Sequence, residues 1–355
     1  MTDTTAEPDM GVLVLQRQRR REARRWRWLA LFAGLSLCSL MLDVATGPSL
    51  LALGDVLRTL AAPATADPMT QAIVMDMRLP IALMALVVGA ALGLGGVQMQ
   101  TLLDNPLASP YTLGLAAAAG FGAALALVTG GLGLPPLLAI PIGAFVCCML
   151  AASFLFGLAL MRHVNSQTII LAGIALLFLF QSLLSLLQFL SSPELSQQII
   201  FWLFGSLMRT TWPMLWITAG VTLVCAVLLH RDAWQLTCLR LGEARARSLG
   251  VNVTRLRLKT LVLVALMTAT AISFVGIIGF IGLVSPHVAR MQVGEDQRFL
   301  IPQSALCGAL MLSVSSVLSK SIVPGALFPI GIVTALIGVP FLIWLILSGR
   351  GRSRA

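Results

Sequence analysis

Long, continuous apolar runs, broken at intervals by arginine, proline and glycine, make up most of the chain. They do not alternate as strands do, nor show the striped pattern of helices that face water, so they read as helices crossing lipid. The runs lie at about 28–45, 79–102, 110–130, 135–161, 168–190, 213–230, 258–275, 299–319 and 328–347. Between the fifth and sixth, the apolar piece Ile199 to Leu207 is too short to cross and is expected to be a surface or re-entrant helix. Residues 46–77 form a mixed connector containing Pro and Asp.

The stretch 276–293 is ambiguous by pattern, because Gly276, Gly279 and Gly282 interrupt what is otherwise a continuation of the helix from Leu258. Charge decides it. If 276–293 turns back as a short eighth span, 20 of the 24 Lys and Arg fall on one side, with Arg58, Arg78, Arg209 and Lys320 on the other. If the run is one long helix, the split is 16 against 8. Basic residues collect on the cytoplasmic side of membrane proteins, so ten spans with both termini in the cytoplasm are expected. The expected division is a basic tail over 1–27, one transmembrane domain over 28–348 with a long cytoplasmic loop at 230–257, and a tail over 349–355.

Composition agrees with this pattern. Of 355 residues 58% are hydrophobic and 11% charged, which supplies about 206 apolar residues, enough for roughly ten helices of 20. A soluble enzyme is excluded. The net charge of +10 would suggest nucleic acid in a soluble chain, but no basic stripe alternates with exposed aromatics and the single Tyr is Tyr111. Arg17, Arg19, Arg20, Arg21, Arg24, Arg25 and Arg27 directly precede the first apolar run, which is too long for a signal peptide and is read as a retained span.

Candidate chemistry is sparse. The six cysteines lack CxxC spacing and read as small buried hydrophobes. His163, His230 and His287 are far apart and each has an arginine close by, so no metal site is expected. No nucleophile, base and orienting group converge, so no catalytic residue is assigned. Asp43 is the only acid embedded in an apolar run, which gives no visible proton relay for an ion-coupled carrier. The two lysines, Lys259 and Lys320, are not in a GK[ST] context, so any ATPase is another polypeptide. Gly89, Gly93, Gly95 and Gly96, then Gly114, Gly120 and Gly122, suit close helix packing in lipid. In the long loop, Leu241 to Gly250 reads as a short helix with Glu243 near its start and Gly250 as its stop; the pattern fits either a partner-docking element or an ordinary surface helix.

Several motifs resemble a known family. Arg78-Leu79-Pro80, Gly89-Ala90-Ala91-Leu92, Gly95, Gln98 and Asn105-Pro106-Leu107-Ala108-Ser109-Pro110 with Leu113-Gly114 occur in order. So do Gly279-Phe280-Ile281-Gly282-Leu283-Val284, Pro286-His287, Arg290, Gly294, Pro302, Gly308-Ala309, Pro329-Ile330-Gly331, Thr334-Ala335, Gly338 and Pro340-Phe341. From about residue 30 to 348 the chain is similar to FecCD-type permeases, the membrane subunits of ATP-binding-cassette importers for ferric siderophores, haem and vitamin B12. The resemblance implies an all-α type II importer fold of ten helices in the bacterial inner membrane. It also implies a second permease subunit, identical or homologous, two ATPases that bind ATP and Mg, and a periplasmic or lipid-anchored substrate-binding protein. No cofactor is implied for this chain itself.

By the same resemblance, Gly242, Glu243, Ala246, Leu249 and Gly250 form the coupling helix that meets the ATPase. Arg78 and Lys320 match residues that dock the binding protein. Asn165, Ser166 and Gln167 correspond to the cytoplasmic gate, although a plain polar turn fits the residues equally. His287 is taken as structural beside Pro286. The chain departs from the family pattern at Ile81, where a second arginine is usual, and at Asp104, Gln297 and Ser316, the last standing where aspartate is usual. The expected cargo is a ferric siderophore, with haem, vitamin B12 or another metal chelate as alternatives, and an ion-coupled secondary carrier as the rival from another class.

Overall fold

A computed structural model describes residues 10–47, 51–161, 166–322 and 328–349. The described residues are helical throughout, with turns and short extended pieces between helices. In chain order these are α1 (Met10–Ala45), α2 (Leu53–Ala61), α3 (Pro68–Gln71), a π-helical stretch Ala72–Arg78, α4 (Leu79–Leu102), α5 (Leu115–Val128), α6 (Pro136–Leu160), α7 (Ser166–Leu190) and α8 (Pro193–Leu203). There follow α9 (Trp212–Arg231), α10 (Ala233–Leu239), α11 (Glu243–Ser248), α12 (Val253–Val275), α13 (Ile281–Val293), α14 (Gln297–Ser321) and α15 (Ile330–Gly349). Among the described residues seven stretches are long and apolar enough to cross a membrane: Gln18–Ala45, Pro68–Leu102, Pro136–Leu160, Ser166–Leu190, Trp212–Arg231, Val253–Val275 and Gln297–Ser321.

Three of the expected spans differ from their apolar runs. The third is helical only over Leu115–Val128, because Asn105 to Gly114 carries two prolines and ends on Gly114 at φ 78°, a left-handed conformation that suits glycine. The eighth is helical only over Ile281–Val293, since the chain leaves the helix at Gly276 (φ 74°) and re-enters it after Phe280 (φ 66°). The last, Ile330–Trp344, falls among the shorter apolar helices. The second, in contrast, begins earlier than expected. Asp67 accepts from the N–H groups of Met69 and Thr70 and starts a helix at Pro68 that runs on through the π turn. Pro80 explains that turn: its ring crowds the preceding carbonyls and it has no N–H to close a regular turn, so the backbone widens just before it.

Helix directions follow from the contacts. A Cβ placed on Gly89 would lie 2.3 Å from the Gly308 carbonyl oxygen, and one on Gly93 2.3 Å from that of Ser304, so α4 and α14 run antiparallel with their backbones touching. A Cβ on Gly96 would lie 1.7 Å from the Gly282 oxygen, which brings α13 to the same helix. The bundle thus has one end with Arg78 and Lys320, called the distal end below, and one with Asp104 and Asp296, called the basal end. After α12 rises to the distal end, the break at 276–280 reverses the chain, and α13 descends to Arg290 beside Gln100. The single long helix is therefore excluded. Non-helical backbone inside a bundle must be covered by protein. Here Ser206 N–H donates to the Val275 carbonyl at 2.8 Å and Gly331 N–H to that of Phe204 at 3.0 Å, and Gly205 and Gly276 let these segments meet.

Burial grades the helices. The most apolar window of α3–α4 is 78% buried and that of α12 72%, against 11% for α7, so α4 and α12 are central and α7 lies outermost. Changing Gly96 to Ala forces the α4 and α13 backbones apart and is expected to cost about 1–3 kcal/mol. Gly220→Ala, with nothing within 4 Å of its added carbon, is expected to be neutral or slightly stabilising. Thermal unfolding of the two variants in detergent checks the contrast; equal losses would refute the packing account.

Candidate functional site

At the basal end, α9 stops at Asp232, whose carboxylate holds Lys259 at 2.5 Å, and α10 and α11 then fold across the foot of the bundle. Gly242, at φ 97°, allows the sharp entry into α11, and Gly250, at φ 83°, ends it. Glu243 opens the helix, where a carboxylate suits the N-terminal dipole, and pairs with Arg247 at 3.3 Å and, at closer range, with the buried Arg257 of α12. Arg240 bridges two other places at once. It donates to Asp104 at 2.7 Å, just past α4, and to Glu295 at 3.2 Å, between α13 and α14. Glu295 also holds Arg290 at 3.0 Å, and Arg290 donates to Gln100 at 3.1 Å. Gln297 donates from its backbone to Thr237 at 3.1 Å and from its amide to Thr101 at 2.9 Å. The short loop helices are thus joined by hydrogen bonds and ion pairs to α4, α12, α13 and α14.

The five residues expected to contact an ATPase all fall on this element, but it sorts them. Gly242, Leu249 and Gly250 are exposed, as are Leu241, Arg245 and Arg247. Ala246 is 0% exposed and packs against the bundle rather than facing outward. It is the inward side of a helix of six residues, and a larger side chain there would lift the helix off the bundle. Glu243 is half-exposed, its carboxylate engaged by arginines of its own chain.

Beside the loop lies a cavity of about 570 Å3 lined by Asp104, Asn105, Ser166, Gln167, Arg240, Glu243 and Arg257, among others. Of the three expected gate residues, Ser166 and Gln167 open α7 and face this cavity; Asn165 lies outside the described residues. Asp296 caps α14 by accepting from Arg298 N–H at 3.1 Å, and it pairs with Arg25 at 3.0 Å. Burial pushes its carboxyl upward, but hydrogen bonds from Arg298 and the charges of Arg298 and Arg25 outweigh that and hold it below the ordinary carboxylate range. Its stabilising contribution is therefore present above the ordinary carboxylate pKa and is lost as pH falls through the lowered value.

At the distal end the two expected docking cations are not free surface charges. Arg78 is 5% exposed and donates to the carbonyls of Val44 (3.1 Å) and Ala45 (2.9 Å), closing the end of α1. Lys320 donates to the Asp43 carboxylate at 2.7 Å and to its carbonyl at 3.3 Å, and Ser316 donates to the same carboxylate oxygen at 2.9 Å. Asp43 is 0% exposed. Both cations fix α1 to its neighbours. Lys320 also borders a cavity of about 360 Å3 with Ser316, Ser319 and Arg209. The exposed basic residues of this end are Arg58, on α2, and Arg209.

The Asp43–Lys320 pair and the Arg240 bridge are the residues that sequence reasoning missed. A signal existed for the first: an acid and a base each embedded at the distal end of an apolar run must find partners. Among the described residues no three His, Cys, Asp or Glu side chains are grouped so as to hold a metal ion. A third cavity of about 520 Å3, lined by Tyr111, Phe204, Phe280 and Leu336 among others, opens beside the 276–280 break and is mainly apolar.

The sequence profile of the FecCD transport family matches residues 35–348. The chain belongs to that family. It is 37% identical over 323 residues to the hemin transport system permease protein HmuU of Yersinia pestis, covering 90% of this chain and 96% of that one. It is 32% identical over 343 residues to the vitamin B12 import system permease protein BtuC of Shigella boydii, covering 96% and 100%. Among solved structures it is similar, with a TM-score of 0.79 and 31% identity over 90% of this chain and 98% of the other, to an ABC transporter assigned to the metal-chelate type in an inward-facing conformation. PsaBC of Streptococcus pneumoniae, at a TM-score of 0.54 and 22% identity over 82% of this chain and 94% of the other, shares the fold. The chain is an ABC importer permease of the FecCD family, embedded in the cytoplasmic membrane.

The distal ion pair supports a direct test. Asp43→Ala leaves Lys320 buried without its counter-charge and is expected to cost about 3–5 kcal/mol. The double variant Asp43→Asn with Lys320→Met is expected to recover most of the loss in detergent melts. A double variant as unstable as Asp43→Ala would show that the pair is not the source of the stability.

Proposed function

We propose that this chain forms half of the membrane path of an ABC importer that moves a metal chelate inward, powered by separate ATPase subunits and fed by a binding protein. In this reading the chain crosses ten times with both termini in the cytoplasm, over the domain 28–348, and pairs with an identical or homologous permease. The basal end is then cytoplasmic, and α11 is the element an ATPase moves. The observation that carries it is the double bridge of Arg240, to Asp104 and Glu295, because it joins the turn leading into α11, whose two ends are flanked by exposed Leu241 and Leu249, to the feet of three spans. A partner displacing α11 would displace those spans with it, as a coupling between two states requires.

Cargo follows from what supports it. The Yersinia relative is named for hemin and the Shigella relative for vitamin B12, so haem is put first, ahead of the ferric siderophore expected from sequence. A ferric siderophore is kept as the second reading because the similar solved structure is of the metal-chelate type. The apolar cavity beside Phe280 suits a large, largely apolar chelate. Docking of the binding protein is proposed at the distal end through exposed Arg58 and Arg209, with Arg78 and Lys320 supporting that surface from beneath. Ser166 and Gln167, with Asn165, are proposed to move as the cytoplasmic gate.

The test is reconstitution in proteoliposomes with the ATPase and binding protein. ATP-dependent uptake of haem, several-fold above that of a ferric siderophore and absent without ATPase, is the expected result. Uptake driven by a proton gradient with no ATPase present would overturn the importer reading. In the same system Arg240→Ala is expected to leave the complex assembled while lowering cargo moved per ATP by about 2- to 30-fold, the usual range for residues that carry coupling. Unchanged stoichiometry would remove Arg240 from the coupling path.

A further inference from the structure

Helix α1 is continuous from Met10 to Ala45, far longer than a bilayer requires, and its first part holds seven arginines between Arg17 and Arg27. One side of that part packs on the bundle. Leu29 is 8% exposed, Arg25 pairs with Asp296 at 3.0 Å and lies over the Phe299 ring at 5.0 Å, and Trp26 meets the same ring edge-on at 5.8 Å. At 100° per residue, Arg20, Arg24 and Arg27 fall within an arc of about 60° on the side directly away from Leu29. All three are exposed. Among the described residues Arg25 is the member of the cluster with a carboxylate partner, while Glu22, the cluster's one acid, falls on the packed side near Arg298. Among the described residues the outward face therefore carries positive charge with no carboxylate beside it.

Depth decides what lies opposite it. Leu29 to Ala45 spans about 26 Å as helix, close to the roughly 30 Å of hydrocarbon. That puts the Arg27 and Arg24 backbones about 3 and 8 Å beyond the apolar edge, within the headgroup layer, and Arg20 about one turn further. Helical side chains lean toward the N-terminus, here away from the hydrocarbon, so the guanidinium groups reach outward among the phosphates. Each offers a forked set of donors that matches phosphate oxygens.

We propose that the face formed by Arg20, Arg24 and Arg27 is a binding surface for anionic phospholipid headgroups, which fill the bilayer position on the side of α1 turned away from the rest of the chain. The packed side of α1 carries its tie to the bundle; the free side carries its tie to the membrane. This goes beyond the transport reading and does not depend on which chelate is carried.

The test is native mass spectrometry of the purified full chain titrated with phosphatidylglycerol or phosphatidylcholine of equal chain length. The wild type is expected to retain phosphatidylglycerol at least tenfold better at low salt, with the preference weakening as salt rises. Replacing Arg20, Arg24 and Arg27 together by Gln is expected to abolish the preference, and the single variants R24Q and R27Q to lower it about five-fold each. R25Q, on the packed side, is expected to keep it. Equal retention of both lipids by the wild type, or an unchanged preference in R24Q and R27Q, overturns the proposal. If those variants instead lose co-purification with the ATPase while lipid preference stays, the occupant is the ATPase and the proposal is likewise overturned.

Discussion

The structure depends on how closely α4 allows its neighbours to approach. In lipid there is no gain from hiding apolar surface between helices, so association rests on packing and on interhelical hydrogen bonds. At Gly89, Gly93 and Gly96 the backbones of α13 and α14 come near enough that a methyl group would collide with a carbonyl oxygen. That contact makes α4 the axis of the bundle. The polar groups along its lower part, Gln98, Gln100 and Thr101, then fall within reach of Gln297, Leu283 and Arg290, which accept from or donate to the Gln98 and Gln100 amides and the Thr101 hydroxyl.

The two ends of the bundle treat charge differently. At the basal end most ionised groups are partly exposed and form a connected set through Arg240, Glu295 and Arg290; single surface pairs of this sort contribute little to stability, but a shared bridge fixes the relative positions of four helices. At the distal end the ion pair is buried, and the removal of either member leaves an uncompensated charge. The basal set is suited to move as a unit, the distal pair to hold.

Much of this was legible in the chain. Apolar runs located most helices, and the positive-inside count correctly turned 276–293 back on itself, because charge sidedness and backbone direction are two consequences of the same topology. Lengths were less legible. The apolar run near 110 hides a stretch of turns set by Pro106, Pro110 and Gly114, and the start of α3 depends on the Asp67 cap, a local hydrogen bond that hydropathy does not register. The short helix Glu243–Ser248 was visible as a motif, but not which way Ala246 faces. Arg78 and Lys320 were visible as isolated cations; that Arg78 satisfies Val44 and Ala45, 34 and 33 residues back, and Lys320 Asp43, 277 residues back, is a matter of tertiary contact that spacing alone does not carry.

The buried pair of Asp43 and Lys320 also sets a schedule for biogenesis. The two residues are 277 positions apart, so at a synthesis rate of roughly 5–20 residues per second the carboxylate of α1 reaches the membrane about 15–55 s before its partner exists. During that interval α1 is a marginal span with an unmatched acid, retained by its arginine-rich flank until α14 arrives. Membrane insertion of this protein is complete, in the energetic sense, only when the long apolar run at 299–319 has been made.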